Sequence, residues 1–192
     1  MSDTLNLDAL HVGPAEPEDA VGICVAVASA FDRDDEANLV IDLYREEAAL
    51  LTLVVKLEDT ILGAVVFSRV QLESDGGERA AVLLAPLAVA PPFQRCGVGR
   101  YLVSEGLARL KAAGEEVVLT VGDPAYYGRF GFSADVASPI ETPWATPNCT
   151  VKGRVGSPGD HCRSSFSNLS SNMAPGPVSP AVRSPLSRGC WW

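Results

Sequence analysis

Residues 87–102 read LAVAPPFQRCGVGRYL. An apolar run ends at Val89, Pro91 and Pro92 stop it, and Gln94, Gly97 and Gly99 follow at the spacing QxxGxG before an amphipathic pattern begins. Glycine has no Cβ to block close approach, so a turn holding Gly97 and Gly99 lets successive backbone N–H groups converge on one point. That point is also the start of a helix predicted over Val98 to Ala113, with Leu102, Val103, Leu107 and Leu110 inward and Gly114 closing it. The unpaired amides and the dipole at a helix start favour an anion by roughly 0.3–2 kcal/mol per charge. Arg95 and Arg100 flank the turn as charge-assisted donors. The stretch therefore reads as a strand, an anion-cradling turn and a helix.

Upstream, Ala80 to Val89 is a strand. Pro86 inside it has no N–H for the ladder, so the strand should bulge, splay or keep an unpaired side there. Leu50–Lys56 and Ile61–Val70 are β-branched strands joined by the polar turn Leu57–Thr60, and Asp75, Gly76 and Gly77 turn into the next strand. Apolar residues at 20, 24, 27, 28 and 31 form a helical stripe behind Pro17, with Cys24 on it as a core residue. A second helix spans about Asp34 to Glu46, and His11 lies on a first short strand. Downstream come a buried strand, Val117–Val121, and a short helix, Pro124–Phe130, with Asp123 as its N-cap. The order is βααβββαβα, without an internal repeat.

Composition bounds the reading. The chain of 192 residues suits one domain of ordinary size, and 47% apolar with 20% charged residues is average usage. The longest apolar stretch, Ala80 to Phe93, contains three prolines, so no helix spans a membrane, and MSDTLNLDAL lacks the marks of a secretory signal. Cytoplasmic residence is the expectation. Five cysteines without a C-x-x-C pair argue against a disulfide framework or a zinc site, and no metal is expected. A net charge of −9 opposes a nucleic-acid-binding face. Charge reverses along the chain: residues 1–137 hold 22 acids and 10 bases, whereas 138–192 hold two acids, five bases, eight prolines and ten serines. Leu, Ile, Val and Phe number only eight in those last 55 residues, too few to offset chain entropy. We read 1–137 as the folded domain and 138–192 as an atypical, largely disordered tail, with Cys149–Val155 a weak strand candidate.

The combination of Leu87, Ala88, Val89, Pro91, Gln94, Gly97 and Gly99 resembles the acetyl-CoA-binding motif of GNAT-superfamily N-acetyltransferases. A second run, LTVGDPAYYGRFGF at 119–132, resembles the short helix of the same superfamily, with an aromatic-Tyr pair at Tyr126 and Tyr127 and a Gly-Phe at Gly131 and Phe132. Its GDPAYYGRFGF form is similar to a branch of predicted small-molecule acetyltransferases. The resemblance implies an α+β GNAT fold with a mixed, mostly antiparallel central sheet flanked by helices. It implies acetyl transfer from acetyl-CoA, as cosubstrate, to a small-molecule or peptide amine. The amides of Arg95, Cys96, Gly97, Val98, Gly99 and Arg100, behind Gln94, would take the diphosphate. The backbone of Leu87, Ala88 and Val89 would pair with the pantetheine arm, Val89 N–H would bind the thioester carbonyl, and Tyr127 would be the general acid. Cys96 departs from the basic or small residue common there, the Asn frequent in the second motif is missing, and Ala81–Val89 offers no acid as general base.

Other readings stay open. Tyr126 and Tyr127 also suit simple packing. A Rossmann domain would need a third glycine where Leu102 stands. A catalytically impaired or non-catalytic CoA-binding module follows if the last strand of the sheet is missing, because the acceptor pocket would then be half built. The helices at 17–46 and the loop at Leu72–Arg79 would shape the acceptor side, and homodimerisation is left open.

Overall fold

The computed structural model describes residues 10–74, 77–137, 140–141, 149–153 and 162–165. In chain order its elements are β1 (His11–Pro14), α1 (Ala20–Phe31), α2 (Asp35–Arg45), β2 (Ala49–Leu57), β3 (Thr60–Ser74), β4 (Gly77–Val89), α3 (Val98–Ala112), β5 (Val117–Val121), α4 (Pro124–Tyr127), α5 (Ala134–Ala137), β6 (Ile140–Glu141), β7 (Cys149–Gly153) and β8 (Cys162–Ser165). Among the described residues the strands form one sheet in the order β1-β2-β3-β4-β5-β7, with β8 pairing the far end of β3 and also β6. The β4–β5 and β6–β8 pairs are parallel and the others antiparallel, giving the mixed, mostly antiparallel α+β sheet expected.

Strand alternation sends the sheet's side chains to two cores. On one face Val54, Ala64, Val66 and Ala88 meet Ile23 and Val27 of α1 and Val40 and Leu43 of α2. On the other, Leu53, Val55, Val65, Phe67, Val82, Leu84 and Val118 meet Leu102, Val103 and Leu110 of α3. Helix α3 comes close because it carries Gly106: a Cβ there would lie 2.2 Å from Phe67 Cζ. Two 2.7 Å hydrogen bonds from the Arg69 guanidinium to Glu115 tie β3 to the residues that follow α3.

The start of α1 is pinned through a single carboxylate. Asp19 accepts from the Glu16 N–H at 2.9 Å, and its other oxygen is 2.6 Å from Lys56 Nζ on β2. Both contacts hold the carboxyl below its ordinary pKa although burial, the largest influence, acts in the opposite direction. Cys24 is half-buried against the α1–α2 core, and burial raises its thiol pKa.

Two expectations change. The strands β3 and β4 run further than their apolar cores, to Ser74 and from Gly77, because backbone pairing continues past the apolar residues; Asp75 and Gly76 lie outside the described residues. More consequentially, a closing strand is present. Residues Cys149–Gly153 pair in full antiparallel register with β5, from Val117↔Gly153 to Val121↔Cys149, so β5 has a neighbour on each side. The premise of a missing final strand is overturned by that pairing, and the impaired module built on it loses its support. The rest of the 138–192 segment, apart from β6, β7 and β8, lies outside the described residues, as does the expectation of disorder there.

Candidate functional site

The site begins where β4 and β5 part. They pair only from Val82↔Val118 to Leu84↔Thr120. Beyond Leu84 the register of β4 against β3 slips, from Phe67↔Leu84 to Val65↔Leu87, so β4 spends one extra residue around Ala85 and the buried Pro86, whose peptide bond is cis. The bulge and splay that Pro86 suggested are both there. β4 then continues along β3 to Gly63↔Val89, and the Ala90 N–H donates to the Leu62 carbonyl at 2.8 Å. Because N–H directions alternate along a strand, the N–H groups of Leu87 and Val89 face the other edge, the one β5 has left. Gly63 permits this close packing: a Cβ there would be 2.8 Å from the Ala88 carbonyl oxygen and 3.2 Å from Val98.

The turn after β4 is shaped by four residues. Gln94 Nε2 donates to the Val89 carbonyl at 3.0 Å, tying the turn back to the strand end. Arg95 takes φ 63° and Gly97 φ 91°, both left-handed, and the exposed Cys96 thiol lies 3.5 Å from the Gln94 carbonyl. Helix α3 begins at Val98, with Gly97 as its N-cap and the Tyr101 N–H on the Gly97 carbonyl at 3.0 Å. The amides just ahead of Tyr101, at Val98, Gly99 and Arg100, have no intrahelical acceptor by the geometry of a helix start. No acid stands in that first turn, and Arg95 and Arg100 are exposed beside it. A multiply charged anion fits this cradle, and an extended polar chain fits the open edge of β4 that leads from it.

The third part is the aromatic cluster of α4. The Asp123 carboxylate caps it, accepting from the Ala125 N–H at 2.8 Å. Tyr126 and Tyr127 are both buried, edge to face at 5.1 Å, with Phe130 against the first and Phe132 against the second. The two rings end in different places. The Tyr126 hydroxyl reaches the first turn of α3, 3.1 Å from where a Gly99 Cβ would stand, and the Arg129 guanidinium covers its ring at 4.8 Å. Burial pushes its pKa up to about 12, with Tyr127 adding and Arg129 and Arg100 opposing. Tyr127 instead lies over Gly122, whose Cβ would be 2.4 Å from the ring, and hydrogen-bonds Thr120. Burial raises its pKa as well, with the Thr120 hydrogen bond opposing. The phenol stays protonated at neutral pH.

The sequence-derived residues Leu87, Ala88, Val89 and Gln94 through Arg100 thus lie on one continuous strand-turn-helix unit. Tyr127 reaches the apex of the splay through Thr120, which pairs Leu84. Sequence reasoning missed Gly63, Thr120, Gly122 and Arg129. Gly63 carries a signal, since it interrupts a strand-like run, and Gly122 carries another, since it ends one ahead of Asp123 and Pro124. Thr120 and Arg129 carry none, because their meaning depends on partners remote in sequence. Among the described residues no cluster of His, Cys, Asp and Glu is placed to hold a metal ion, and no helix is long and apolar enough to cross a membrane.

Residues 21–132 match the Acetyltransferase (GNAT) family. The chain is 39% identical over 130 residues to the N-acetyltransferase YhbS of Escherichia coli (strain K12), covering 67% of this chain and 76% of that protein. It is 34% identical over 119 residues to the N-acetyltransferase YjhQ of the same strain, covering 61% and 66%. Among solved structures, E. coli YhbS in complex with CoA superposes with a TM-score of 0.69 at 34% identity, over 76% of this chain and 81% of that one. A GNAT-family acetyltransferase of Brucella melitensis in complex with acetyl-CoA gives 0.65 at 30%, over 77% and 89%.

Proposed function

The chain belongs to the GNAT acetyltransferase family, and on that premise we infer that it moves the acetyl group of acetyl-CoA to an amine by direct attack on the thioester. The observation that carries this is the joining of three features: the splayed edge of β4 after Leu84, the basic turn at the start of α3, and the Tyr127 hydroxyl at the apex of the splay. The solved relatives in complex with CoA and acetyl-CoA support the same ligand here.

The roles follow from the groups available. Bound acetyl-CoA supplies an activated acetyl thioester. The amides of Val98, Gly99 and Arg100 and the guanidinium groups of Arg95 and Arg100 hold its diphosphate at the turn. The Leu87 and Val89 amides extend the β4 ladder to its pantetheine arm. Val89 N–H donates to the thioester oxygen, where charge develops during attack, and removal of such a donor costs roughly 100- to 1,000-fold in rate. Gln94 helps fix that strand end by donating to the Val89 carbonyl. The amine nitrogen attacks the carbonyl carbon, the C–S bond breaks, and Tyr127 gives its proton to the departing sulfur. The proton released by the nitrogen restores the phenol, so the reaction balances as amine plus thioester to amide plus thiol. Holding the two reactants together carries most of the rate enhancement, and no acid on β4 is needed.

The segment 16–47 carries ten acids and two bases, which favours a cationic amine beside α1 and α2. The domain 1–137 supplies every residue named in this mechanism, and β7 completes its sheet. Two measurements test the function. Calorimetry should show acetyl-CoA binding and no binding of NAD. Thiol release across a panel of polyamines, amino sugars and lysine peptides should identify an acceptor, with Tyr127→Phe lowering kcat about 100- to 10,000-fold. Binding of NAD without acetyl-CoA would refute the ligand, and full activity of Tyr127→Phe would remove Tyr127 from its role.

A further inference from the structure

We propose that Thr120 is a positioning residue for Tyr127: its hydroxyl is a two-state rotor that fixes the phenol at the apex of the splay and turns its own proton onto the phenolate when Tyr127 gives its proton away. This rests on the reading of Tyr127 as the acid. The geometry begins with a fully buried Thr120, its side chain on the α3 face of the last β4–β5 pair, Leu84↔Thr120. Thr120 Oγ1 lies 3.0 Å from the Leu84 carbonyl oxygen and is also hydrogen-bonded to Tyr127.

A carbonyl oxygen only accepts, and a threonine hydroxyl has one proton. In the resting protein that proton is therefore committed to Leu84, and Tyr127 meets the same oxygen as the donor. The chain runs Tyr127 O–H to Thr120 Oγ1–H to Leu84 C=O, with every member neutral. With acetyl-CoA bound, the Tyr127 O–H turns from Thr120 Oγ1 to the sulfur, and once it has given that proton away its oxygen can only accept. Thr120 Oγ1–H then rotates from the Leu84 carbonyl to the phenolate, no bond but the O–H rotor moving, and returns when the phenol is protonated again. A hydroxyl is required for this, and shape alone does not supply it. Gly122 matters for the same reason, since any Cβ there would displace the ring that Thr120 aims.

Valine has the shape of threonine without the hydroxyl, and serine keeps the hydroxyl without the methyl group, so the two substitutions separate hydrogen bonding from packing. Thr120→Val is expected to lower kcat for thiol release from acetyl-CoA by about 10- to 100-fold, with the calorimetric affinity for acetyl-CoA within about twofold of wild type. Thr120→Ser is expected to recover most of that loss. The assay uses the best amine of the panel, or water as the acceptor if no amine is taken. A second readout needs no turnover. In protein labelled at tyrosine 13Cζ, the Tyr127 signal, assigned with Tyr127→Phe among the four tyrosines, should shift in Thr120→Val and stay near its place in Thr120→Ser. Unchanged kcat and signal in Thr120→Val, with Tyr127→Phe still impaired, would overturn the role of Thr120 and leave that of Tyr127 intact. Equal loss in the valine and serine variants would reduce Thr120 to packing. Full activity in Tyr127→Phe would remove both roles together.

Discussion

Two adjacent tyrosines with one pKa tendency end at different chemistry, and the small residues around them decide which. Tyr126 sends its hydroxyl to the first turn of α3 because Gly99 leaves room for it, and Tyr127 sends its own to Thr120 because Gly122 does. Gly99→Ala tests the first of these. The added methyl would lie 3.1 Å from the Tyr126 hydroxyl and 3.6 Å from Val89, in the space leading from the turn to the open edge of β4. Alanine also gains up to about 1 kcal/mol of helix propensity over glycine. The expected outcome is an unchanged or raised Tm together with acetyl-CoA affinity about tenfold weaker, read by thermal unfolding and calorimetry. Acid stability tests a different residue. The two hydrogen bonds from Arg69 hold Glu115 below the ordinary carboxylate pKa, against the smaller effect of burial. A carboxylate with a depressed folded pKa adds stability above its unfolded value, and that contribution is lost as the pH falls through the folded one. Arg69 is 38% exposed, which screens the pair, so Glu115→Gln should cost about 1 kcal/mol at pH 7. Its unfolding curve should converge on the wild-type curve below pH 4.5. The places of Gly97 at the helix start, Val89 at the strand end and Tyr127 on the short helix were legible in the sequence because their patterns are local. Thr120 was not, since one hydroxyl in a buried strand is ordinary until Leu84, 36 residues earlier, is brought beside it.

At the scale of elements, periodicity located both long helices of the N-terminal half, the helix after the glycine turn and the strands β2 to β5, because each carries an apolar stripe or run of its own. The closing strand β7 showed in the sequence only as the weak candidate Cys149–Val155, and for a physical reason. Its five residues have little apolar content, and what makes them a strand is the unpaired edge of β5, a tertiary demand that overrides local propensity. Averaging composition across 55 residues hid it further. The seating of α3 gives a direct measurement. A methyl at Gly106 would fall 2.2 and 2.4 Å from ring atoms of the fully buried Phe67, so either the ring leaves its place or the helix lifts from the sheet. Overpacking of this kind costs about 1–3 kcal/mol, more than alanine recovers in helix propensity. Gly106→Ala should therefore lower Tm by several degrees, at about 2–4 °C per kcal/mol for a chain of this size. Chemical denaturation provides the check.

For the whole molecule, the sheet couples folding to ligand. A ligand that bridges the α3 turn and the β4 edge binds the folded chain alone, so acetyl-CoA at 100 times its Kd should add about 2.7 kcal/mol of stability. Thermal unfolding should rise by about 5–10 °C with acetyl-CoA and stay where it is with NAD. The acidic balance of residues 1–137 was legible at once; how that charge is distributed around the splay was not, because it depends on which helices face it. The bulge at Ala85–Pro86 has one more consequence, for the life of the protein among others. An unpaired strand edge inside a sheet is a template on which foreign chains polymerise, and proteins blunt such edges with proline and irregular register. β4 has both at the point where β5 leaves it: Pro86 offers no donor, and the extra residue throws the ladder out of step with β3. A long, regular β-strand from another chain finds no matching repeat there, so the edge that β5 leaves among the described residues is a poor seed for aggregation.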